Sequence, residues 1–326
     1  MPLDQYQRDI DYLRISLTDV CNLRCVYCMP EHMAFRRPAE LLTDAELFRL
    51  ITLFARLGFR KIRFTGGEPT LRPGLVQLVR HAARQPGVRQ VSLTTNGLML
   101  DQLARPLADA GLSSVNVSLD TLDPARFREL TRWGNVRDVL EGINAVEAAG
   151  LRLKLNAVPI RGVNDTDDAI ALARLTLEHD RQVRFIEVMP FANNAGFQTG
   201  HIVRETELRA RLEAALGPLE PLHAGKLDGE ARMFRLPGAR GAIGFISPVT
   251  SPFCAACNRV RLTADGRLRL CLLRDDEGDL RELLRGGATD QELETAIGAA
   301  IHRKPWGHNL ASDLIPASRG MSEIGG

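Results

Sequence analysis

Residues 13–31 read LRISLTDVCNLRCVYCMPE, a short alternating pattern that runs directly into three closely spaced cysteines. Apolar and polar side chains alternate through the first six positions, as on a strand with one buried face. The cysteines, spaced C-x3-C-x2-C, are Cys21, Cys25 and Cys28. Three soft thiolates this close together are typical ligands of an iron–sulfur cluster or of zinc. The stretch therefore predicts a strand that leads into a metal-binding loop.

The remaining three cysteines form a second triplet, spaced C-x2-C-x13-C. They are Cys254, Cys257 and Cys271. Structural zinc sites normally have four protein ligands, and neither triplet has a well-spaced fourth ligand in the sequence. Three ligands on a four-iron cluster leave one iron open to a small molecule. We therefore expect two [4Fe-4S] clusters, with two zinc sites that each borrow a distant ligand as the alternative.

The composition is that of an ordinary globular protein, because 44% of the 326 residues are hydrophobic and 25% are charged. The 42 basic and 40 acidic residues give a net charge of +2, which argues against a generally basic nucleic-acid-binding protein. No apolar run reaches the ~18 residues of a membrane span, and the N-terminal stretch MPLDQYQRDIDYLR is too charged for a signal peptide. We expect a cytoplasmic protein, in which the cysteines do not form disulfides.

Strand-like and helix-like segments alternate up to about residue 204. The candidate strands are residues 13–18, 61–65, 90–95, 114–119, 151–158 and 183–188, and the candidate helices are residues 44–57, 74–84, 103–110, 136–149 and 167–178. This alternation predicts an α/β fold with a parallel sheet, arranged as an incomplete (β/α)6 TIM-type barrel over residues 1–204. Residues 205–326 are richer in short apolar runs, Gly and Pro, and predict a smaller α+β domain. We expect this domain to contain antiparallel strands, the second triplet and helices near residues 280–284 and 291–301.

The first five candidate strands alternate between apolar and polar residues, whereas parallel strands buried on both faces are usually continuously apolar. If helices cover the apolar face, the polar face lines the barrel interior and needs water or a ligand. Arg14, Arg63 and Lys154 would then project toward one cavity, with Arg259 and Arg261 as a second basic pair. Such converging cations are typical of a phosphate-binding site. For any single Arg, a solvated surface position is the alternative. Lys61 and Arg184 are weaker candidates for the same site.

The arrangement C-x3-C-x-Y-C after a strand resembles that of the radical S-adenosylmethionine (SAM) enzymes. The second triplet, FTGGEP at residues 64–69, NRVRLT at 258–263 and IGG at 324–326 resemble one family closely, the GTP 3',8-cyclases of molybdenum cofactor biosynthesis. This resemblance extends from about Leu13 to Gly326. It implies the same partial barrel, two [4Fe-4S] clusters and SAM as cofactors.

The resemblance also implies roles for particular residues. Those implied to bind SAM are Tyr27, Gly67, Ser118 and Met189. Those implied to bind GTP are Arg14, Arg63, Thr94, Lys154, Arg259, Val260 and Arg261, although alternation directs the Val260 side chain to the opposite face. Simpler alternatives are a packing aromatic for Tyr27, a helix N-cap for Ser118, a core position for Met189 and a turn cap for Thr94. The tail that ends in Gly325 and Gly326 would enter the active site, with a frayed terminus as the alternative.

The implied reaction is a radical cyclisation of GTP to (8S)-3',8-cyclo-7,8-dihydroguanosine 5'-triphosphate, which starts with hydrogen abstraction from C3'. The implied partners are GTP as substrate, an electron donor and a downstream cyclic pyranopterin monophosphate synthase. We expect no nucleic-acid or membrane partner, and a homodimer is left open. One alternative is a radical SAM enzyme with an auxiliary cluster that acts on a peptide or another substrate. The other is a non-catalytic zinc-binding protein.

Overall fold

The computed structural model describes residues 2–191, 199–222, 227–310 and 315–325. Its strands are β1 (Tyr12–Ser16), β2 (Lys61–Thr65), β3 (Gln90–Thr95), β4 (Ser114–Ser118), β5 (Arg152–Ala157), β6 (Gln182–Ile186), β7 (Glu220–Pro221), β8 (Leu227–Asp228), β9 (Ala231–Arg235), β10 (Ala242–Ile246), β11 (Arg259–Leu262), β12 (Arg267–Arg269) and β13 (Glu277–Asp279). Its α-helices are α1 (Asp44–Arg56), α2 (Leu75–Ala83), α3 (Leu100–Asp109), α4 (Pro124–Thr131), α5 (Val136–Ala148), α6 (Asp167–Glu178), α7 (Glu205–Leu216), α8 (Leu280–Arg285), α9 (Asp290–His302) and α10 (Met321–Ile324).

Strands β1 to β6 lie side by side in chain order, and every neighbouring pair is parallel. At least one α-helix follows each of the first five strands before the next begins, so each connection is a βαβ crossover. The six predicted strands and their helices are therefore confirmed, with boundaries that differ by one or two residues at most strand ends. The prediction of an incomplete (β/α)6 barrel is confirmed as well.

The C-terminal strands continue the same sheet at both of its edges. Strand β11 pairs in parallel with β1, with Val260 opposite Leu13. Strand β10 pairs in parallel with β6, with Ile243 opposite Val183. The expected antiparallel pairing is present only further out, where β9 pairs with β10 and β12 with β11. The chain beyond residue 205 thus supplies both outer neighbours of the barrel strands, which the sequence pattern did not predict.

The apolar residues of the barrel strands face the helices, as the alternation predicts. Leu13, Ile15 and Phe64 are fully buried and belong to one large hydrophobic core with helix residues such as Leu50 and Phe54. Burial of these side chains stabilises each helix against the sheet. Three described helices, α4, α7 and the short α10, lie outside the segments that the periodicity predicts. Helix α7 buries only Leu208 and Leu212, so its apolar face is too narrow to stand out in the sequence.

No helix among the described residues is long and apolar enough to cross a membrane.

Candidate functional site

One cavity lies at the carboxyl ends of the barrel strands, where catalytic residues of such barrels are usually found. Strands β2 to β6 each contribute a lining residue at or just beyond the carboxyl end, and β1 contributes Arg14. The cavity is also lined by all six cysteines: Cys21, Cys25, Cys28, Cys254, Cys257 and Cys271. The fold therefore brings together two triplets that are more than 200 residues apart in the sequence.

The first triplet lies in the loop that follows β1. A backbone hydrogen bond of 2.9 Å from the Cys28 N–H to the Cys25 carbonyl tightens the loop, and Arg24 donates to the Cys21 carbonyl at 2.7 Å. Burial raises the pKa of Cys21 to about 11 and that of Cys28 to about 12, and it raises the pKa of Cys25 well above its usual value. Buried thiolates without a cation are unstable, so this loop suits a positively charged metal cluster.

The second triplet has a more basic environment. Burial would raise the pKa of the Cys257 thiol, but the positive charges of Lys304, Arg259 and Arg8 outweigh it and lower this pKa. The Lys304 ammonium is itself buried and donates to the Leu270 carbonyl, next to Cys271. A cysteine that favours its thiolate form is prepared to bind metal. In the described ranges, no three His, Cys, Asp or Glu side chains are arranged to hold a single metal ion.

The Gly-Gly-Glu turn after β2 packs directly against the backbone that leads to the first triplet. The Gly67 N–H donates to the Thr18 carbonyl at 2.6 Å, and a Cβ at Gly67 would lie 2.4 Å from the Val20 carbonyl oxygen. Only glycine allows this approach. Glu68 is buried, and its carboxylate accepts hydrogen bonds from the Thr95 hydroxyl and the Asn96 N–H, both at 2.7 Å. The turn therefore fixes the cysteine loop to β2 and β3.

Five arginines line the same cavity: Arg14, Arg63, Arg184, Arg259 and Arg261. Burial lowers the pKa of Arg14 to about 10, and burial together with Arg14 and Arg259 lowers that of Arg261 well below its usual value. Positive charges held this close together, in part out of water, favour an anionic ligand.

Two of the predicted cations lie elsewhere among the described residues. Lys61 is exposed at the start of β2, and Lys154 is half-buried on β5 but is not among the described residues that line the cavity. Asn156 shares the strand face of Lys154 and does line the cavity. A role for Lys154 in binding substrate stays a prediction.

An acidic residue that the sequence pattern did not predict lies among these arginines. Glu230 lines the cavity, and its carboxylate accepts a hydrogen bond from the Arg259 guanidinium. Burial would raise the pKa of Glu230, but the charges of Arg259, Arg14, Arg63 and Arg184 lower it to about 2. A single glutamate in a glycine turn carries no signal in the sequence, because its surroundings come from distant strands.

The residues expected to bind SAM line the same cavity: Tyr27, Gly67, Ser118 and Met189. The Tyr27 hydroxyl donates to the Asp120 carboxylate at 2.8 Å. Burial raises the pKa of Asp120 to about 6. The sequence pattern did not identify Asp120 as the partner of Tyr27, although its position two residues after the end of β4 indicates that it lies at the barrel mouth. Thr94 also lines the cavity and accepts a hydrogen bond from Arg63 at 3.1 Å.

The C-terminal segment enters the barrel mouth. The Gly325 carbonyl accepts a hydrogen bond of 2.6 Å from Arg261, and Gly325 is buried with a φ of +69°. A Cβ at this position would lie 2.6 Å from Cγ2 of Thr65. A glycine is therefore required both by the backbone conformation and by the space. Gly326, the other residue of the expected tail, lies outside the described residues.

Comparison with known proteins gives matches over nearly the whole chain. The radical SAM superfamily model matches residues 15–174, and the Molybdenum Cofactor Synthesis C model matches residues 181–310. The chain is 44% identical to a GTP 3',8-cyclase of Thermodesulfovibrio yellowstonii, over 99% of both chains. It is 46% identical to one of Pelotomaculum thermopropionicum and 45% identical to one of Moorella thermoacetica, again over 99% of both chains.

Solved structures with the same fold are more distant in sequence. SuiB of Streptococcus suis bound to S-adenosylmethionine superimposes with a TM-score of 0.64 at 15% identity, over 94% of this chain and 74% of that one. The same enzyme bound to its precursor peptide SuiA gives a TM-score of 0.63, over 92% of this chain and 66% of that one. At this identity the likeness concerns the fold alone.

Proposed function

The chain belongs to the GTP 3',8-cyclase family of radical SAM enzymes, and on that premise we propose how the cavity that holds all six cysteines carries out the reaction. The enzyme uses SAM and an iron–sulfur cluster to cyclise GTP to (8S)-3',8-cyclo-7,8-dihydroguanosine 5'-triphosphate, a step of molybdenum cofactor biosynthesis. Two contacts support the assignment of parts: Gly67, an expected SAM residue, packs against the backbone of Val20, next to Cys21, and the Arg259 charge acts on the Cys257 thiol.

On the SAM side, Cys21, Cys25 and Cys28 would hold the first cluster. When bound, this cluster supplies the electron that breaks the carbon–sulfur bond of SAM, and the chemistry of that step belongs to the cofactors. The chain's own contribution is to bind and orient SAM. The backbone around Gly67 is fixed against the cysteine loop, and Ser118 and Met189 line the same cavity.

On the substrate side, Cys254, Cys257 and Cys271 would hold a second [4Fe-4S] cluster, whose open iron would be available to the purine. Arg14, Arg63, Arg259 and Arg261 would bind the triphosphate, because guanidinium groups pair with phosphate oxygens through two parallel hydrogen bonds. Arg63 also fixes Thr94, which would contact the same substrate. Binding in this closed barrel mouth would exclude water from a reactive ribose.

The expected partners follow from the same proposal. An electron donor would reduce the first cluster, and a cyclic pyranopterin monophosphate synthase would consume the product. Residues 1–204 would form the barrel part with the first cluster, and residues 205–326 the part with the second. A cytoplasmic location and the state of oligomerisation stay predictions.

The test is product formation by the reduced, cluster-loaded protein under anaerobic conditions with SAM and GTP. We expect 5'-deoxyadenosine and the cyclised nucleotide to form in equal amounts, and GTP deuterated at C3' to transfer its deuterium to 5'-deoxyadenosine. Peptide substrates added in competition should not reduce the yield. Cleavage of SAM with peptide but not with GTP would replace the proposal by that of a peptide-modifying enzyme, and zinc instead of iron would replace it by a binding protein.

A further inference from the structure

Glu230 reaches the arginine cluster from the tip of a short hairpin. Strands β8 and β9 pair antiparallel with Asp228 opposite Ala231, so Gly229 and Glu230 form a two-residue turn between them. Gly229 has a φ of +66°, which favours glycine at this position. A residue at a hairpin tip can change its side-chain position without disturbing a strand ladder, because it makes no ladder hydrogen bonds.

Four arginines surround the single negative charge of the Glu230 carboxylate. Its guanidinium partner is on Arg259, and Arg14, Arg63 and Arg184 lie close enough to lower its pKa. The side chains of Arg259 and Glu230 are only 11% and 18% exposed. Several buried positive charges repel one another, and one carboxylate balances part of that repulsion in the substrate-free protein.

We propose that Glu230 is a displaceable counter-ion: in the substrate-free enzyme it occupies the place of a phosphate group on Arg259, and the triphosphate of the substrate displaces it. This inference rests on the proposed function for the identity of the substrate. A carboxylate and a phosphate use the same face of a guanidinium, so both cannot pair fully with Arg259 at once. The hairpin tip therefore releases Arg259 when the nucleotide binds.

Displacement makes binding depend on the number of phosphates. Every nucleotide must break the Arg259–Glu230 pair, but only a ligand with several phosphate groups places enough negative charge among the arginines to compensate. A monophosphate brings fewer negative charges, although it must break the same Arg259–Glu230 pair. Glu230 thus lowers the affinity of every nucleotide by a similar factor, so that monophosphates, which bind more weakly from the start, do not occupy the arginines at low concentration.

The test compares the cluster-loaded wild type with Glu230→Gln, which keeps the shape and removes the charge. The probes are inorganic tripolyphosphate, GTP and GMP, with affinities measured by anaerobic calorimetry. We expect Glu230→Gln to bind tripolyphosphate and GTP about tenfold more tightly, as expected when one opposing charge near several cations is removed. GMP should gain by a similar factor, because it breaks the same Arg259–Glu230 pair, and the ligand-free variant should melt at a lower temperature because its arginines lose their counter-ion.

The matched control is Glu205→Gln. Glu205 pairs with Arg232, its side chain is 14% exposed, and it is not among the described residues that line the cavity. This variant should also melt at a lower temperature, but its affinity for tripolyphosphate should equal that of the wild type. Should Glu230→Gln fail to fold, Glu230→Asp replaces it, because this change withdraws the carboxylate by one methylene. Glu230→Asp should also bind tripolyphosphate more tightly than the wild type, but by a smaller factor.

An unchanged or weaker affinity of Glu230→Gln for tripolyphosphate would overturn the proposal. So would tighter binding of tripolyphosphate with weaker binding of GTP, because Glu230 would then contact the nucleoside. Failure of the proposed function has a different result: the wild type would bind tripolyphosphate but show no preference for GTP over other triphosphates and no cyclised product.

Discussion

Strand β11 shows how neighbouring residues serve different purposes. Arg261 is buried in the cavity wall and donates to the Gly325 carbonyl, and Arg259 faces the same cavity. Val260 between them is 1% exposed and belongs to the hydrophobic core opposite Leu13. Although Val260 also borders the cavity, its side chain points into the core, as the alternation predicts.

The double change Arg259→Ala with Arg261→Ala should weaken GTP binding strongly while both clusters remain loaded. Each charge-assisted hydrogen bond is worth roughly 1.5–3 kcal/mol, so the loss of two groups should lower the affinity by at least about a hundredfold. Calorimetry under anaerobic conditions measures this, and the binding should also depend less on salt. The control Val260→Thr should lower the melting temperature but leave GTP affinity nearly unchanged. Equal loss of affinity in the control would contradict the assigned strand faces.

The two cysteine triplets should be separable by single substitutions. Each variant should lose one four-iron cluster, so the iron content should fall from about eight to about four per chain. Cys25→Ser should abolish SAM cleavage, whereas Cys257→Ser should retain SAM cleavage at least in part and lose the cyclised product. Iron and acid-labile sulfide analysis with measurement of 5'-deoxyadenosine tests this. Equal loss of SAM cleavage in both variants would argue against separate roles.

At the scale of elements, helix α10 depends on a buried arginine just before it. Arg319 donates to both carboxylate oxygens of Asp265 at 3.0 and 2.9 Å and to Glu277 at 2.7 and 3.0 Å. Its side chain is 7% exposed. Arg36 adds a second tie, at 3.0 Å to Glu323 within the helix. These contacts place the helix so that Gly325 can reach Arg261.

Arg319→Met should release this C-terminal segment from the barrel mouth. Breaking a buried ion pair by removing one partner costs about 3 kcal/mol or more, so amide exchange in residues 322–325 should accelerate by about a hundredfold. Hydrogen exchange followed by mass spectrometry measures it. The control Arg37→Met removes the ion pair with Glu40, in which the arginine side chain is 83% exposed. It should leave amide exchange in residues 322–325 unchanged, because an exposed pair contributes little stability.

The same clamp should weaken in acid. Burial would raise the pKa of Asp265, but its hydrogen bonds with Arg319 and Thr263 outweigh burial and lower this pKa below that of the unfolded chain. A carboxyl with a lowered pKa stabilises the folded state above its unfolded pKa of about 3.9 and loses this effect as the pH falls through the folded value. The protection factor of residues 322–325, which is their exchange relative to the intrinsic rate at each pH, should therefore fall below about pH 4 in the wild type, and much less in Arg319→Met. A wild-type protection factor that does not change with pH would contradict the clamp.

At the scale of the whole molecule, the C-terminal part protects both edges of the barrel sheet. Without β10 and β11, strands β1 and β6 would present unpaired backbone groups along their full length. Such exposed edges favour aggregation. The sheet is continuous from β13 to β7, so strands from both sides of the predicted boundary at residue 204 belong to it.

A fragment of residues 1–204 should aggregate when it is produced alone. Co-production of residues 205–326 should rescue part of it as a soluble complex, because the second fragment restores a parallel neighbour to each edge strand. Size-exclusion chromatography of the two preparations measures the difference. A monomeric, folded fragment 1–204 would show that the barrel edges do not need these partners.

Much of this protein was determined by local sequence. The spacing of Cys21, Cys25 and Cys28, the alternation in the barrel strands and the glycine pair at residues 66–67 each reflect a requirement that acts over a few residues. Metal ligation, strand pleat and close backbone approach leave signals at fixed spacings, so they can be read without the fold. The order of β1 to β6, most helices and the two cysteine triplets were predictable for this reason.

Only the tertiary structure decided the rest, because it depends on residues far apart in the chain. Nothing near Glu230 indicates that it lies among Arg14, Arg63, Arg184 and Arg259, since those come from four other strands. Nor does local pattern show that β10 and β11 pair with β6 and β1, because parallel pairing leaves no turn signal between partners. Nor does the pattern show that Lys154 is absent from the described cavity lining. Alternation determines on which face of a strand a residue lies, but the stagger of the strands determines its depth along the barrel.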